Sequence, residues 1–116
     1  MQTVFHITTR HAWEQAQELG YYDHESLQQE GFIHCSYLDQ VILTANRFFS
    51  GQRGLVLLQI DGDRTYHPLQ TDTIPNEGTF PHLYGMLNLD AVVQVFPFEP
   101  DGTGEFMILP ELERGC

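Results

Sequence analysis

Three of the six histidines, His6, His34 and His82, stand in apolar surroundings: "TVFHIT", "GFIHCS" and "FPHLYG". An imidazole has an ordinary pKa of about 6.5, so its surroundings decide whether it acts as donor, acceptor, proton carrier or metal ligand. In an extended segment, side chains two positions apart share a face. His34 then lies with Phe32 and Ser36, while Ile33 and Cys35 point the opposite way; His6 lies with Val4 and Thr8. Each of these imidazoles has a hydroxyl two positions on. If the two strands are neighbours, the four groups form one polar patch, with His82 and Tyr84 at its rim. Such a patch suits ligand binding through His6, Thr8, His34, Ser36, His82 and Tyr84, with His34 and His82 as the candidates for proton transfer.

Two other readings remain open at this point. His6, His34 and His82 with a water would make up a catalytic zinc shell, although no H-x-H or H-E-x-x-H spacing brings them together. Alternatively, the histidines only shape a non-enzymatic pocket for a small ligand or a protein segment. Cys35, with parity opposite to His34, is a poor partner for a Cys–His nucleophile. His11, His24 and His67 fall on a helix face, in a turn and beside a proline, where exposure is expected.

The elements that must position these residues can be traced along the chain. "TVFHIT" is a strand, and Thr9 caps a helix through Leu19, with Ala12, Trp13, Ala16 and Leu19 as its apolar stripe and Gly20 as its stop. A turn and a short helical piece follow, Ser26 and Gln29 having the spacing of a capping box and Gly31 ending it. After "FIHCS", Ser36 and Asp39 offer a second box for a helix lined by Val41, Ile42, Ala45, Phe48 and Phe49. "LVLLQI" (55–60) is a continuous apolar run, as expected of a strand buried on both faces. Residues 64–79 are polar and carry two prolines, so they predict an irregular excursion of the kind that forms binding loops. "AVVQVFPF" (91–98) and "EFMILP" (105–110) complete the predicted strands. Helices and strands mix without a βαβ rhythm. The fold class is therefore α+β: one domain over 1–116, with curved, mixed or antiparallel sheets and two main helices.

Charge narrows the partners. Sixteen acidic residues face five arginines and no lysine, for a formal charge of −11. Nucleic-acid binding depends on basic side chains neutralising phosphates, so direct nucleic-acid binding is not expected, and an anionic membrane surface is disfavoured on the same grounds. No run approaches the roughly 18 apolar residues of a membrane span. The N-terminus lacks the layout of a leader, and two cysteines, Cys35 and Cys116, make no disulfide framework; a cytoplasmic location is the expectation.

"FHITTRHAW", "SLQQEGFIHCS", "ANRFF" followed by "LVLLQID", and "FPHLYGMLNLDAV", in this order, resemble domain-of-unknown-function family 952, a bacterial family, from about Val4 to Pro110. The resemblance implies a fold similar to the ADP-ribosyltransferases, including the RNA 2′-phosphotransferases, which bind NAD or ADP-ribose in a cleft between two small sheets. On that footing the chain is expected to be a nucleotide-site protein for NAD, ADP-ribose or a related phosphorylated ribose. It would lean towards an ADP-ribosyl or phosphoryl-type transferase, with NAD as a candidate substrate rather than a resident cofactor. His6 matches the first-strand position that contacts a ribose hydroxyl. His34 and Ser36 match a later strand beside the nicotinamide ribose, and His82 and Tyr84 would close the cleft. Arg10 and Arg47 are the arginines placed to meet phosphate. The glutamate that polarises the ribose in most such transferases has no clear counterpart, Glu105 being a weak one.

Overall fold

The computed structural model describes residues 2–110 and 112. Its centre is the apolar run: β4 (Leu55–Asp61) lies between β1 (Thr3–Thr9) and β8 (Val92–Phe98), both antiparallel to it. Alternation along β4 explains why neither of its faces is polar. Leu55 and Leu57 pack with Phe5, Ile7, Phe96 and Phe98 on one side. Val56, Leu58 and Ile60 pack with Val4, Trp13, Tyr22 and Ile33 on the other. A central strand covered on both faces has no solvent side to encode.

Helix α1 (Arg10–Leu19) follows β1 directly. The Thr9 hydroxyl accepts from the Ala12 amide at 3.0 Å, satisfying one of the orphan donors of the first turn. Gly20 stops the helix at φ +90°, its N–H donating to the Ala16 carbonyl, a left-handed cap suited to a residue without Cβ. Trp13 and Ala16 are buried as expected, whereas Leu19 is exposed. Two short strands, β2 (Tyr21–Tyr22) and β7 (Leu87–Asn88), pair next to it.

The second three-stranded sheet has the order β3-β6-β5, formed by β3 (Ile33–His34), β6 (Gly78–Leu83) and β5 (Leu69–Ile74). All its pairings are antiparallel. It adjoins the first sheet through a single bridge, Phe5 to Ser36, whose two amides exchange hydrogen bonds of 2.8 Å. Helices α2 (Ser26–Glu30) and α3 (Val41–Phe48) flank this junction. The architecture is α+β with three short antiparallel sheets and few helices.

Several expectations are corrected. Residues 64–79 are not wholly irregular, because Leu69–Ile74 forms β5; its polar residues occupy a half-exposed hairpin and leave no apolar alternation to read. No strand forms at 105–110. There the Asn46 side chain of α3 takes the hydrogen bonds a neighbouring strand would supply, accepting from Phe106 N–H at 2.7 Å and donating to its carbonyl at 3.2 Å. Phe106 is nonetheless buried in the core. The box before α3 uses Tyr37 and Gln40 instead of Ser36 and Asp39. Ser26 does not cap α2, since its hydroxyl donates to the Phe32 carbonyl. Phe48 is exposed rather than packed on a sheet. Cys116 lies outside the described residues.

Candidate functional site

A cleft of about 880 Å³ opens where the two larger sheets meet. Phe5 and Ile7 of β1 form its floor, α3 one wall, and Ile74, Glu77 and Phe80 of the β5–β6 hairpin the other. A volume of this size takes a drug- or nucleotide-sized ligand. Of the residues singled out in the sequence, His6, His34, Ser36 and Arg47 line it, whereas Thr8, Arg10, His82 and Tyr84 do not.

The expected four-group patch does not form, and the bridge explains why. Residues directly opposite in an antiparallel pair share a face, so the Phe5–Ser36 bridge puts Ser36 with Phe5 and leaves His6 turned the other way. His6 is only 5% exposed. Its Nδ1 donates to the His34 carbonyl at 2.6 Å and its Nε2 lies 2.8 Å from the Tyr22 hydroxyl, itself 2.9 Å from Thr8 Oγ1. The carbonyl can only accept, so Nδ1 carries the proton, and Nε2 of the neutral ring meets the Tyr22 hydroxyl, which also reaches Thr8 Oγ1. Burial lowers the His6 pKa to about 4, against the carbonyl bond that raises it, so the ring is neutral near pH 7. Burial likewise pushes the Tyr22 pKa up. His6 and Thr8 therefore belong to a closed internal network, with no free nitrogen for a ligand or a metal.

His34 is open. Half-exposed, it donates from Nε2 to Glu30 on α2, a residue the sequence did not single out. Ser36 is buried, with Thr44 Oγ1 3.5 Å away. Arg47 forms a two-pronged pair with Glu77, and its guanidinium sits 5.1 Å from the centroid of the Phe48 ring. Cleft carboxylates Glu30, Asp39 and Glu77 thus face Arg47 alone among the described arginines. Arg10 is exposed at the start of α1, away from the cleft, and Glu105 is held in the 101–105 turn. Cys35 is buried and its thiol is pushed up to about 12 by that burial, so it is no nucleophile near neutral pH.

His24, expected to be exposed, also lines the cleft, with its ring edge-on to His6 at 5.6 Å. Its Nδ1 accepts from the Ser26 amide at 3.1 Å, and burial lowers its pKa. The neutral ring therefore keeps Nε2–H as a donor. A smaller pocket of about 290 Å³, lined by Thr8, Tyr22 and Asp23 among others, shares His24 with the cleft.

Beside the cleft, the outer face of β3-β6-β5 carries a second group. His82, directly opposite His34, is 2% exposed, stacks on Phe32 (centroids 3.9 Å apart, 14° between planes) and donates from Nδ1 to Asp72 at 2.8 Å. Tyr84 donates to the same carboxylate. The tyrosine's bond first, then one from the Gln70 amide at 2.9 Å and that of His82, hold the Asp72 pKa down at about 2, and the accepting carboxylate raises that of Tyr84. Among the described residues, no group of three or more His, Cys, Asp or Glu side chains converges as a metal shell, so His6, His34 and His82 do not form one.

The family described as Protein of unknown function (DUF952) matches residues 7–95. The chain belongs to this family. The DUF952 span includes His24, Glu30, His34, Arg47, Asp72 and His82, and begins one residue after His6. The X-ray structure of protein CC0527 from Caulobacter crescentus is similar, with a TM-score of 0.83 and 28% identity over 91% of this chain and 94% of that one. The solution NMR structure of CC0527 gives a TM-score of 0.72 and 27% identity, over 100% and 97% of the two chains. None of the curated proteins matches.

The residues that sequence reasoning missed had faint signals. Glu30 lies four positions before His34, and Asp72 reaches His82 through a hairpin turn at Pro75–Glu77 that the two prolines of 64–79 concealed.

Proposed function

We propose that the protein binds a ribose-containing small molecule of the nucleotide class in the cleft between its two larger sheets. One observation carries this reading: the same cleft is lined by the carboxylate–imidazole pair Glu30–His34 and by two aromatic rings, Phe48 from the α3 wall and Phe80 from the hairpin wall. A carboxylate and an imidazole together accept from and donate to vicinal hydroxyls, and an aromatic wall suits a planar base. His24 Nε2–H adds a donor on the same side.

The architecture is taken as ADP-ribosyltransferase-like, as the family resemblance implies, with NAD, ADP-ribose or a related phosphorylated ribose as ligand. In that arrangement Glu30, rather than Glu105, is the carboxylate that would polarise a bound ribose. Any transfer of an ADP-ribosyl or phosphoryl group would then proceed through positioning and charge stabilisation, since Cys35 is buried and protonated. Arg47, once released from Glu77, is the cation available to phosphate.

The reading is tested by titrating adenosine, ADP-ribose and NAD against the melting temperature. A ligand at a hundredfold excess over its dissociation constant stabilises by about 2.7 kcal/mol, a shift of several degrees in a domain of this size. At least one of the three is expected to produce that shift in the wild type and a smaller one in Glu30→Gln. No shift with any of them would overturn the assignment.

A further inference from the structure

The histidine pair on the outer face of the second sheet has a feature that its own hydrogen bonds leave unexplained. His82 Nε2 is buried and has no hydrogen-bond partner among the described residues. A buried polar nitrogen left unpaired is costly, and a native structure keeps one where something is meant to meet it. The tautomer follows from its neighbour: Asp72 only accepts, so Nδ1 carries the proton and Nε2 of the neutral ring presents a lone pair.

His34 repeats this arrangement from the facing strand. Its Nε2 donates to Glu30, which leaves Nδ1 as the lone-pair nitrogen of the neutral ring. The two histidines are register partners, with ring centroids 5.3 Å apart and planes at 87°. Two imidazoles on one tetrahedral ion, with metal–nitrogen bonds near 2.0–2.1 Å, have centroids roughly 5 Å apart. The pair already meets that spacing. Metal-bound histidines also characteristically donate their other N–H to a carboxylate, which orients the ring and increases its basicity. Both rings have such a brace, and the two carboxylates match the charge of a divalent ion. Phe32 covers the face of His82, not its edge.

We propose that His34 and His82 form a two-imidazole site for a first-row divalent metal ion, with the remaining coordination positions open to water or to a ligand in the adjoining cleft. Glu30 holds the half-exposed His34 ring, and Phe32 and Asp72 hold His82. His6 takes no part, since both of its nitrogens are already engaged. Because the cleft's carboxylates outnumber its arginine, an ion here would supply the positive charge that a phosphate-bearing ligand needs. The site stands independently of the nucleotide reading and is tested without any nucleotide.

The measurement is a Zn²⁺ titration of the wild-type protein, followed by long-range ¹H–¹⁵N correlation of the imidazole nitrogens and by thermal melting. Saturation at one ion per chain is expected, moving the lone-pair nitrogen signals of both His34 and His82, leaving those of His6 in place, and raising the melting temperature. His34→Ala, at an exposed position, should weaken binding at least tenfold, and His82→Gln should do the same if folded; His11→Ala should change nothing. Shifts at His34 alone, shifts spread equally over His11 and His67, or no saturable binding would each overturn the site.

Discussion

His6 and the His34–His82 pair lie on either side of one strand junction, yet they are set up for opposite tasks. Around His6 every polar atom is answered from within: a main-chain carbonyl on one nitrogen, Tyr22 on the other, and Thr8 behind the tyrosine. Around His34 and His82 each ring is braced on one nitrogen only. A saturated network stabilises and orients a fold, whereas a half-saturated one retains bonding capacity for something outside it. The same residue type thus serves as architecture on one side of the junction and as a candidate site on the other.

The sharpest way to break this contrast is to truncate both sides. His6→Ala empties a buried volume and strands the His34 carbonyl and the Tyr22 hydroxyl, which should cost about 3–5 kcal/mol. His34→Ala removes a half-exposed ring and should cost less than about 1 kcal/mol. Urea denaturation of each variant decides it, read as a change of midpoint at constant slope. Equal losses would mean that His34 is structural too.

Acid should find the inner network first. The His6 pKa is depressed in the folded state, to about 4, so the unfolded chain takes up a proton near pH 6.5 that the native chain refuses. Its contribution is therefore complete above about pH 6.5 and is lost as the pH falls towards 4. At 1.36 kcal/mol per pKa unit this amounts to about 3 kcal/mol. His24, whose pKa is also lowered, acts in the same direction, and Asp72 extends the loss at lower pH. Stability curves from pH 7.5 to 4 should be visibly flatter for His6→Gln, which cannot titrate there. An unchanged slope would assign the acid sensitivity to other groups.

The smallest effect is expected on the open side. Glu30→Gln removes one partner of an exposed ion pair, and such pairs contribute little, so stability should change by less than about 0.5 kcal/mol. A larger loss on denaturation would place Glu30 with the structural network and blur the distinction.

How much of this was legible in the chain depends on range. Thr9 as cap, Gly20 as stop, the apolar run of β4 and the burial of Trp13 all follow from local chemistry and periodicity, and the structure has them as read. The parity of "GFIHCS" also held, since Ile33 and Cys35 are core while His34 faces out. The polar β5 and the loss of the final strand to Asn46 were not legible: β5 is a half-exposed hairpin strand without apolar alternation, and Asn46 meets Phe106 from 60 positions away. Phe48 is exposed although its spacing matches the apolar side of α3.

What the sequence determined by itself is the strand or helix character of β1, α1, β4 and β8, and which sides of α1 and β4 are apolar. Those properties depend on backbone sterics and on side chains within a few positions of one another. Only the tertiary structure decided which histidine became which. A single bridge, Phe5 to Ser36, set the register that turned His6 inward to Tyr22 and kept Ser36 away from it. A hairpin register brought Asp72 to His82, and a one-turn helix brought Glu30 to His34. Register between distant strands is selected by the packing of whole faces, and a shift of one residue would exchange every inward side chain for an outward one.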